Sequence, residues 1–208
     1  MHIAKTGLRV LGIAESFSSG DKSILAGLVM RKDLLIDGIS FETTTIGGMD
    51  ATRAVISLYK KFNRQDINAI MISGCVISWF NIVDPVQICN EVERPVIIVT
   101  YEESEGIEED IKRHFPGDDE RLRSYRDLGK RLPVTLSTGY TIYIRSCGIC
   151  DEDAARLCSS FTLDGKIPEP LRVARLCARA VLQFMETRWQ GIFLYQNRVS
   201  NVQSEKED

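Results

Sequence analysis

The chain has 208 residues, 44% hydrophobic and 26% charged, which is the balance of an ordinary globule with one compact core. A net charge of −3 gives no support to sequence-independent nucleic-acid binding through a basic surface, leaving only a local basic groove. The six cysteines are too few for a disulfide scaffold, no apolar stretch is long enough to span a bilayer, and MHIAKTGLRV lacks the apolar core of a signal peptide. These features predict a cytoplasmic protein with reduced thiols and no membrane partner.

Val10–Ala14 predicts a short first strand, and Glu15–Gly20 a polar loop leaving it. Ser23–Met30 and Leu34–Thr45 predict two further strands, turning at Arg31-Lys32-Asp33, with Asp37-Gly38 marking a bulge. Gly47-Gly48 ends this meander. Asp50 predicts the cap of a helix to about Asn63, with Val55, Leu58, Tyr59 and Phe62 facing inward. Ala69–Ile72 has the unbroken apolar character of a strand buried on both faces, and Ser73-Gly74 permits a sharp turn at its end. Asp84-Pro85 starts a short helix to about Val92. A strand, loop and helix in that order form the place where open α/β sheets bind ligands.

Pro95–Thr100 predicts a second buried strand. Tyr101–Leu132 is charged and predicts two helical pieces, broken at Pro116-Gly117. Tyr140–Arg145 predicts a strand, and Asp151–Phe161 a helix capped by Asp151. Pro168-Glu169-Pro170 starts a last helix to about Thr187, with Val173, Cys177, Ala180, Val181 and Phe184 facing inward. Ile192–Tyr195 predicts a short edge strand, and Ser200–Asp208 a frayed end. The order predicts one α/β domain over residues 1–188 and a C-terminal extension over 189–208 whose last residues are disordered. Its architecture is a three-layer α/β/α, ribonuclease-H-like fold, with three antiparallel strands followed by parallel ones in one mixed sheet.

IPEPLRVARL, at Ile167–Leu176, resembles a helix start of endonuclease V, and ISGCVIS with ERPVIIVT resembles its central strand pair. LGIAESF, GGMDAT, SWFNIVD and KIPEPLRVA together resemble, more closely, an archaeal family of uncharacterised function related to endonuclease V. The resemblance runs from about Arg9 to Glu186. It implies the ribonuclease-H-like fold and a metal-dependent nuclease ancestry, in which carboxylates hold Mg or Mn that activates water near a deaminated purine. Carried over by motif, the family's acids fall on Ala14 at the end of the first strand, Arg53 in the helix after the meander and Ser73 at the end of the central strand. Its histidine falls on Ile149. None of these four is a metal-binding carboxylate or imidazole, and an arginine repels a cation.

The acids left near the expected crevice are Glu15, Glu42, Asp50 and Asp84. A relocated metal site would draw on Glu15, Asp50 and Asp84, yet capping alone accounts for the last two. Glu15 replaces Ala14 only if the strand has already ended or bulged there, because one residue's shift turns a side chain to the other face. Trp79, Phe80 and Asn81 lie in the loop after the central strand, where an aromatic pair would wedge or stack on a base; the rival reading has both rings covering the sheet's end. Glu169 and Arg172 sit at the last helix start, and Arg172, Arg175 and Arg179 recur along it as phosphate contacts or as a solvated face. Arg121, Arg123, Arg126, Lys130 and Arg131 surround Tyr125, but neighbouring acids favour a solvated helix. Cys147-Gly148-Ile149-Cys150 reads as ordinary thiols, or an incidental disulfide, rather than a catalytic redox pair, and with only His2 and His114 besides, zinc lacks ligands.

The resemblance, taken with these non-ligand positions, implies an endonuclease-V-like protein that binds DNA or RNA with a degenerate metal site and no required cofactor. The alternatives are an active Mg- or Mn-dependent nuclease with relocated carboxylates, and a non-catalytic structural or regulatory protein. The oligomeric state is left open.

Overall fold

The structure is a computed structural model that describes residues 5 and 7–204, the stretch 188–204 in backbone only. In chain order the elements are β1 (Arg9–Ser16), β2 (Lys22–Arg31), β3 (Ile36–Thr45), α1 (Ala51–Phe62), β4 (Ala69–Ser73), β5 (Val76–Ile77) and β6 (Asn81–Ile82). They continue with α2 (Pro85–Val92), β7 (Val96–Thr100), α3 (Glu108–His114), α4 (Asp119–Asp127), β8 (Leu132–Thr135), β9 (Thr141–Cys147), α5 (Asp151–Ser160) and α6 (Glu169–Ser204).

Seven strands form one mixed sheet in the order β3-β2-β1-β4-β7-β9-β8, with β4 at its centre. β1, β4 and β7 are mutually parallel, and the meander β1-β2-β3 is antiparallel. The far side differs from the expected run of parallel strands: β9 runs antiparallel to both of its neighbours, β7 and β8. The sheet remains three-layered. Val10, Ala14, Met71 and Val99 pack on one face with α5 and α6, while Leu11, Ile13, Ile70 and Ile72 pack on the other with α1 and α2. This is the period-two alternation of a sheet buried on both sides.

Several expected boundaries move. β1 continues through Glu15 and Ser16, which pair with Leu25 and Ile24, so Glu15 stands on a strand and not in a loop. The bulge falls where Asp37-Gly38 signals it, since Val29 pairs with Gly38 and Met30 with Ile36. β8 was hidden by its charged flank and by Pro133; an edge position tolerates the missing N–H. Ile192–Tyr195 continues α6 in place of an edge strand. The buried stripe of α6 is Leu171, Ala174 and Ala178, with Val173, Cys177 and Val181 partly covered beside it. Ala180 and Phe184, expected inward, are exposed. Of the end expected to fray, residues 200–204 continue α6, and 205–208 lie outside the described residues, as does His2.

The start of α6 presses directly on β1. A Cβ on Gly12 would sit 2.5 Å from the backbone carbon and oxygen of Pro170, and that backbone has no rotamer with which to yield. Gly12→Ala is therefore expected to lower stability by about 3 kcal/mol, as overpacking against backbone does. Urea denaturation checks it; a variant within experimental error of the wild type would mean that α6 is not seated on β1 as described.

Candidate nucleic-acid interface

The C-terminal ends of β1, β4 and β7 open into a crevice of about 330 Å³ lined by Ala14, Glu15, Ser73, Tyr101, Glu102 and Arg175, among others. Such a crevice is the ordinary ligand position of an open α/β sheet. β1 and β4 run in register with Ile13 beside Ile72, so Ala14 and Ser73 follow as neighbours on adjacent strands. Both point to the α6 side, where the Ser73 hydroxyl lies 3.3 Å from the Tyr101 hydroxyl. Burial pushes the Tyr101 phenol up, with the Ser73 hydrogen bond and the Arg175 charge opposing.

Glu15 points the other way. Its pairing with β2 is unbroken from Ala14–Ala26 to Glu15–Leu25, so no bulge brings its carboxylate to the Ala14 side. It accepts instead from the Ser23 hydroxyl at 2.7 Å and the Ser78 N–H at 3.2 Å. Asp50 stands at the N-cap of α1, where its carbonyl accepts from the Ala54 N–H (2.9 Å) but its side chain makes no bond to that helix. Its carboxylate accepts from the hydroxyls of Thr44 (2.6 Å) and Thr45 (2.8 Å), the Thr45 N–H (3.1 Å) and the Asn81 amide (2.7 Å). Burial alone raises the Asp50 pKa, but the hydrogen bonds from Thr44, Asn81 and Thr45 outweigh it and hold the carboxyl well below its ordinary value. Asp84 caps α2 as its sequence predicts, accepting from the N–H groups of Val86 (2.8 Å) and Gln87 (3.1 Å). Glu42 is held by Ser57 and Lys61 on β3.

Ala14 and Ser73 thus come together in the crevice, with Glu15 at its edge. Arg53, Asp50 and Asp84 do not line it; Arg53 and Asp84 line a separate groove of about 580 Å³ between α1, α2 and α4. Ile149 packs against the α6-side core. Among the described residues, no three His, Cys, Asp or Glu side chains gather where they could hold a metal ion.

The loop between β5 and β6 carries three consecutive non-glycine residues in the left-handed region: Ser78, Trp79 and Phe80, with φ of 45°, 55° and 60°. Each costs about 1 kcal/mol or more and persists only where its surroundings hold it. Arg121 supplies the hold. It is 4% exposed and donates to the carbonyls of Gly47 (2.9 Å), Gly48 (2.9 Å) and Phe80 (2.5 Å). It also pairs with Asp118 and lies 3.9 Å over the Phe115 ring. The solvated-helix expectation fails for this arginine: Asp118 is local, but the three carbonyls that bury it are remote in sequence and leave no local signal. Trp79, 47% exposed, stands edge-on to His114, while Phe80 packs against His114 and Phe115. The rings are displayed unequally, Trp79 outward and Phe80 half-buried.

Asn81 is fully buried, contrary to its placement as a nucleic-acid contact. Its side-chain oxygen accepts from the Ala51 N–H, capping α1 from thirty residues away, and its amide holds Thr44, Thr45 and Asp50. Glu169 is 8% exposed and receives the guanidinium of Arg172 at 2.6–3.1 Å, so this pair is spent on itself. Arg175, one turn further along α6, is the arginine that lines the crevice. The thiols are all free. Cys147 neighbours Cys89 on α2; burial, then that contact with Cys147, pushes the Cys89 thiol up to about 11.

Comparison with known proteins agrees with the fold. A family model described as endonuclease dU matches residues 6–182. A UPF0215 protein of Pyrobaculum calidifontis is 39% identical over 183 residues, covering 86% of this chain and 99% of its own, and one of Thermococcus kodakarensis is 32% identical over 86% and 94%. A crystal structure of a protein of unknown function from Archaeoglobus fulgidus superposes with a TM-score of 0.74 at 28% identity, covering 84% of this chain and 98% of that one. The endonuclease V of Ciona intestinalis, solved with a 24mer DNA containing an inosine followed by a ribo-adenosine, shares the fold with a TM-score of 0.59 at 15% identity, over 88% and 89%. The chain has a ribonuclease-H-like α/β fold, shared with endonuclease V, and belongs to the endonuclease dU family.

Proposed function

We propose that this protein binds a nucleic-acid strand across the crevice at the ends of β1, β4 and β7, and that it no longer holds the cations with which its relatives' fold cuts. One observation carries the reading: two adjacent strand ends facing α6 bear Ala14 and Ser73, while the unbroken β1–β2 register turns Glu15 to the opposite face. A cation pair needs several carboxylate oxygens on one spot, and alanine with a neutral hydroxyl does not provide them. The residues present do not fit a two-cation centre, and no cleavage step is derived through one.

Support for strand binding comes from the displayed Trp79 ring, from Arg175 in the crevice, and from the DNA complex of the endonuclease V that shares this fold. Trp79 is the surface on which a base stacks; Phe80 stiffens its loop from below. The ligand class is a single-stranded or locally opened strand, and the names of the relatives make uracil- and inosine-containing strands the ones to test.

Fluorescence anisotropy with labelled uracil- or inosine-containing strands tests it. Binding is expected to weaken with salt, and Trp79→Ala to weaken it by about tenfold, the ordinary worth of one stacked base. Wild-type protein that binds neither DNA nor RNA strands at low salt would contradict the reading and leave a structural or regulatory interaction role. A second reading, metal-dependent cleavage, is favoured by Glu15 and Glu102 lining one crevice and by the family's name. Cleavage lost in Glu15→Ala would establish it.

A further inference from the structure

A smaller pocket of about 150 Å³ adjoins the crevice, sharing Gly74, Val76 and Thr100 with it. Two guanidiniums line it: Arg131, just before β8, and Arg145, on β9. Arg131 donates to the carbonyls of Glu102 (3.0 Å) and Ser104 (2.7 Å), and its guanidinium lies 5.3 Å from the Tyr143 ring centre. Arg145 donates twice to the carbonyl of Gly129 (3.1 and 3.0 Å) and once to the Cys75 sulfur (3.2 Å). Carbonyls and a thiol orient these groups without neutralising them. Among the described residues neither arginine has a carboxylate within 4 Å, and Glu102 turns its own carboxylate to Lys166.

Two half-buried positive charges facing one small pocket repel each other and need an anion to settle them. Both charges reach the same place: at the buried Cys75 thiol, burial raises the pKa while Arg145 and then Arg131 pull it down. The Tyr125 hydroxyl completes the lining. It accepts from the Ile107 N–H at 3.2 Å and keeps its own hydrogen to donate. Planar guanidiniums pre-oriented by backbone carbonyls, with a hydroxyl donor beside them, are the chemistry of a phosphate site.

We propose that Arg131 and Arg145, with Tyr125, hold one backbone phosphodiester of the strand that lies across the neighbouring crevice. This rests on the nucleic-acid reading above and adds to it the point where the backbone is gripped, on the β9 side of the aromatic loop.

The test is anisotropy of the full chain with a fluorescent single strand over a salt series. Arg145→Gln and Arg131→Gln are each expected to weaken binding about tenfold across sequences, and the double variant to shrink the log–log salt slope by about 0.7, the value of one phosphate contact on a single strand. Arg145→Lys keeps a point charge and is expected to recover most of the slope, which a purely structural tie to Gly129 would not. Arg131→Gln stands as the second variant should loss of the Arg145 tie unfold β9. Arginine variants that melt and bind like the wild type, beside a Trp79→Ala that still weakens binding, would overturn the phosphate site alone. A wild type that binds no strand would overturn it together with the crevice reading.

Discussion

Ala14→Asp with Ser73→Asp is expected to create a Mn²⁺ site in the crevice. The two positions are neighbours on adjacent parallel strands facing the same side, and adjacent strands lie about 4.8 Å apart. Two carboxylates at that spacing can share one cation, and each repels the other without it. The metal-free variant should therefore melt below the wild type. Added Mn²⁺ should raise its stability by about 3 kcal/mol at roughly one hundred times the dissociation constant, by mass action on the folded state. Arg53 plays no part in this design, because α1 holds it at a different groove. A variant whose melting temperature ignores Mn²⁺ would mean that Ala14 and Ser73 do not occupy the ancestral ligand positions.

Asn81→Ala is expected to be the most costly single truncation among the former site candidates, at about 3–4 kcal/mol in urea denaturation. The change leaves the first N–H of α1 uncapped and strips a buried donor from Asp50, Thr44 and the Thr45 carbonyl. Each buried group left unsatisfied costs about 1–3 kcal/mol, and the groups share one network. A loss below about 1 kcal/mol would contradict this network's role in holding α1 to β3. The same network sets an acid dependence. Asp50's folded pKa is depressed below its ordinary 3.8, so its contribution is fully present above that pH and is lost as pH falls through the lower folded value. Asp50→Asn should flatten that part of the acid-stability curve.

The frame was legible because its signals are local. Ala69–Ile72 and Val96–Val99 are apolar runs long enough only for strands buried on both sides, and they form the centre of the sheet. Asp84-Pro85 carries its own cap and first helical residue, and Asp37-Gly38 its own bulge. The two ends of the sheet were harder: β8 is an edge strand interrupted by proline, and antiparallel β9 reads no differently from a parallel strand.

The site was legible in part, for the same reason inverted. Ala14 and Ser73 could be placed from motif, and they meet in the crevice. The direction of Glu15 depends on where β1 ends, a matter settled by pairing with Ile24 and Leu25 on another strand. Asp50 looks like an ordinary helix cap, yet Asn81 caps α1 and Asp50 serves β3. Arg121 sits in a run of charges typical of solvent, yet is buried under Gly47, Gly48 and Phe80. Hydrogen bonds that span thirty to seventy residues leave no spacing to read. Phe80 and Asn81, adjacent to Trp79, show how sharply such loops divide display from support.

The proposed crevice keeps its frame and its grip on a strand while lacking oxygens for cations. Electron paramagnetic resonance of Mn²⁺ with the wild-type protein and a bound uracil- or inosine-containing strand tests it most directly, read beside a gel of the same strand. The expected result is a free-ion Mn²⁺ signal and an intact strand. Protein-bound Mn²⁺ with a strand cut in a Glu15-dependent manner would contradict the account.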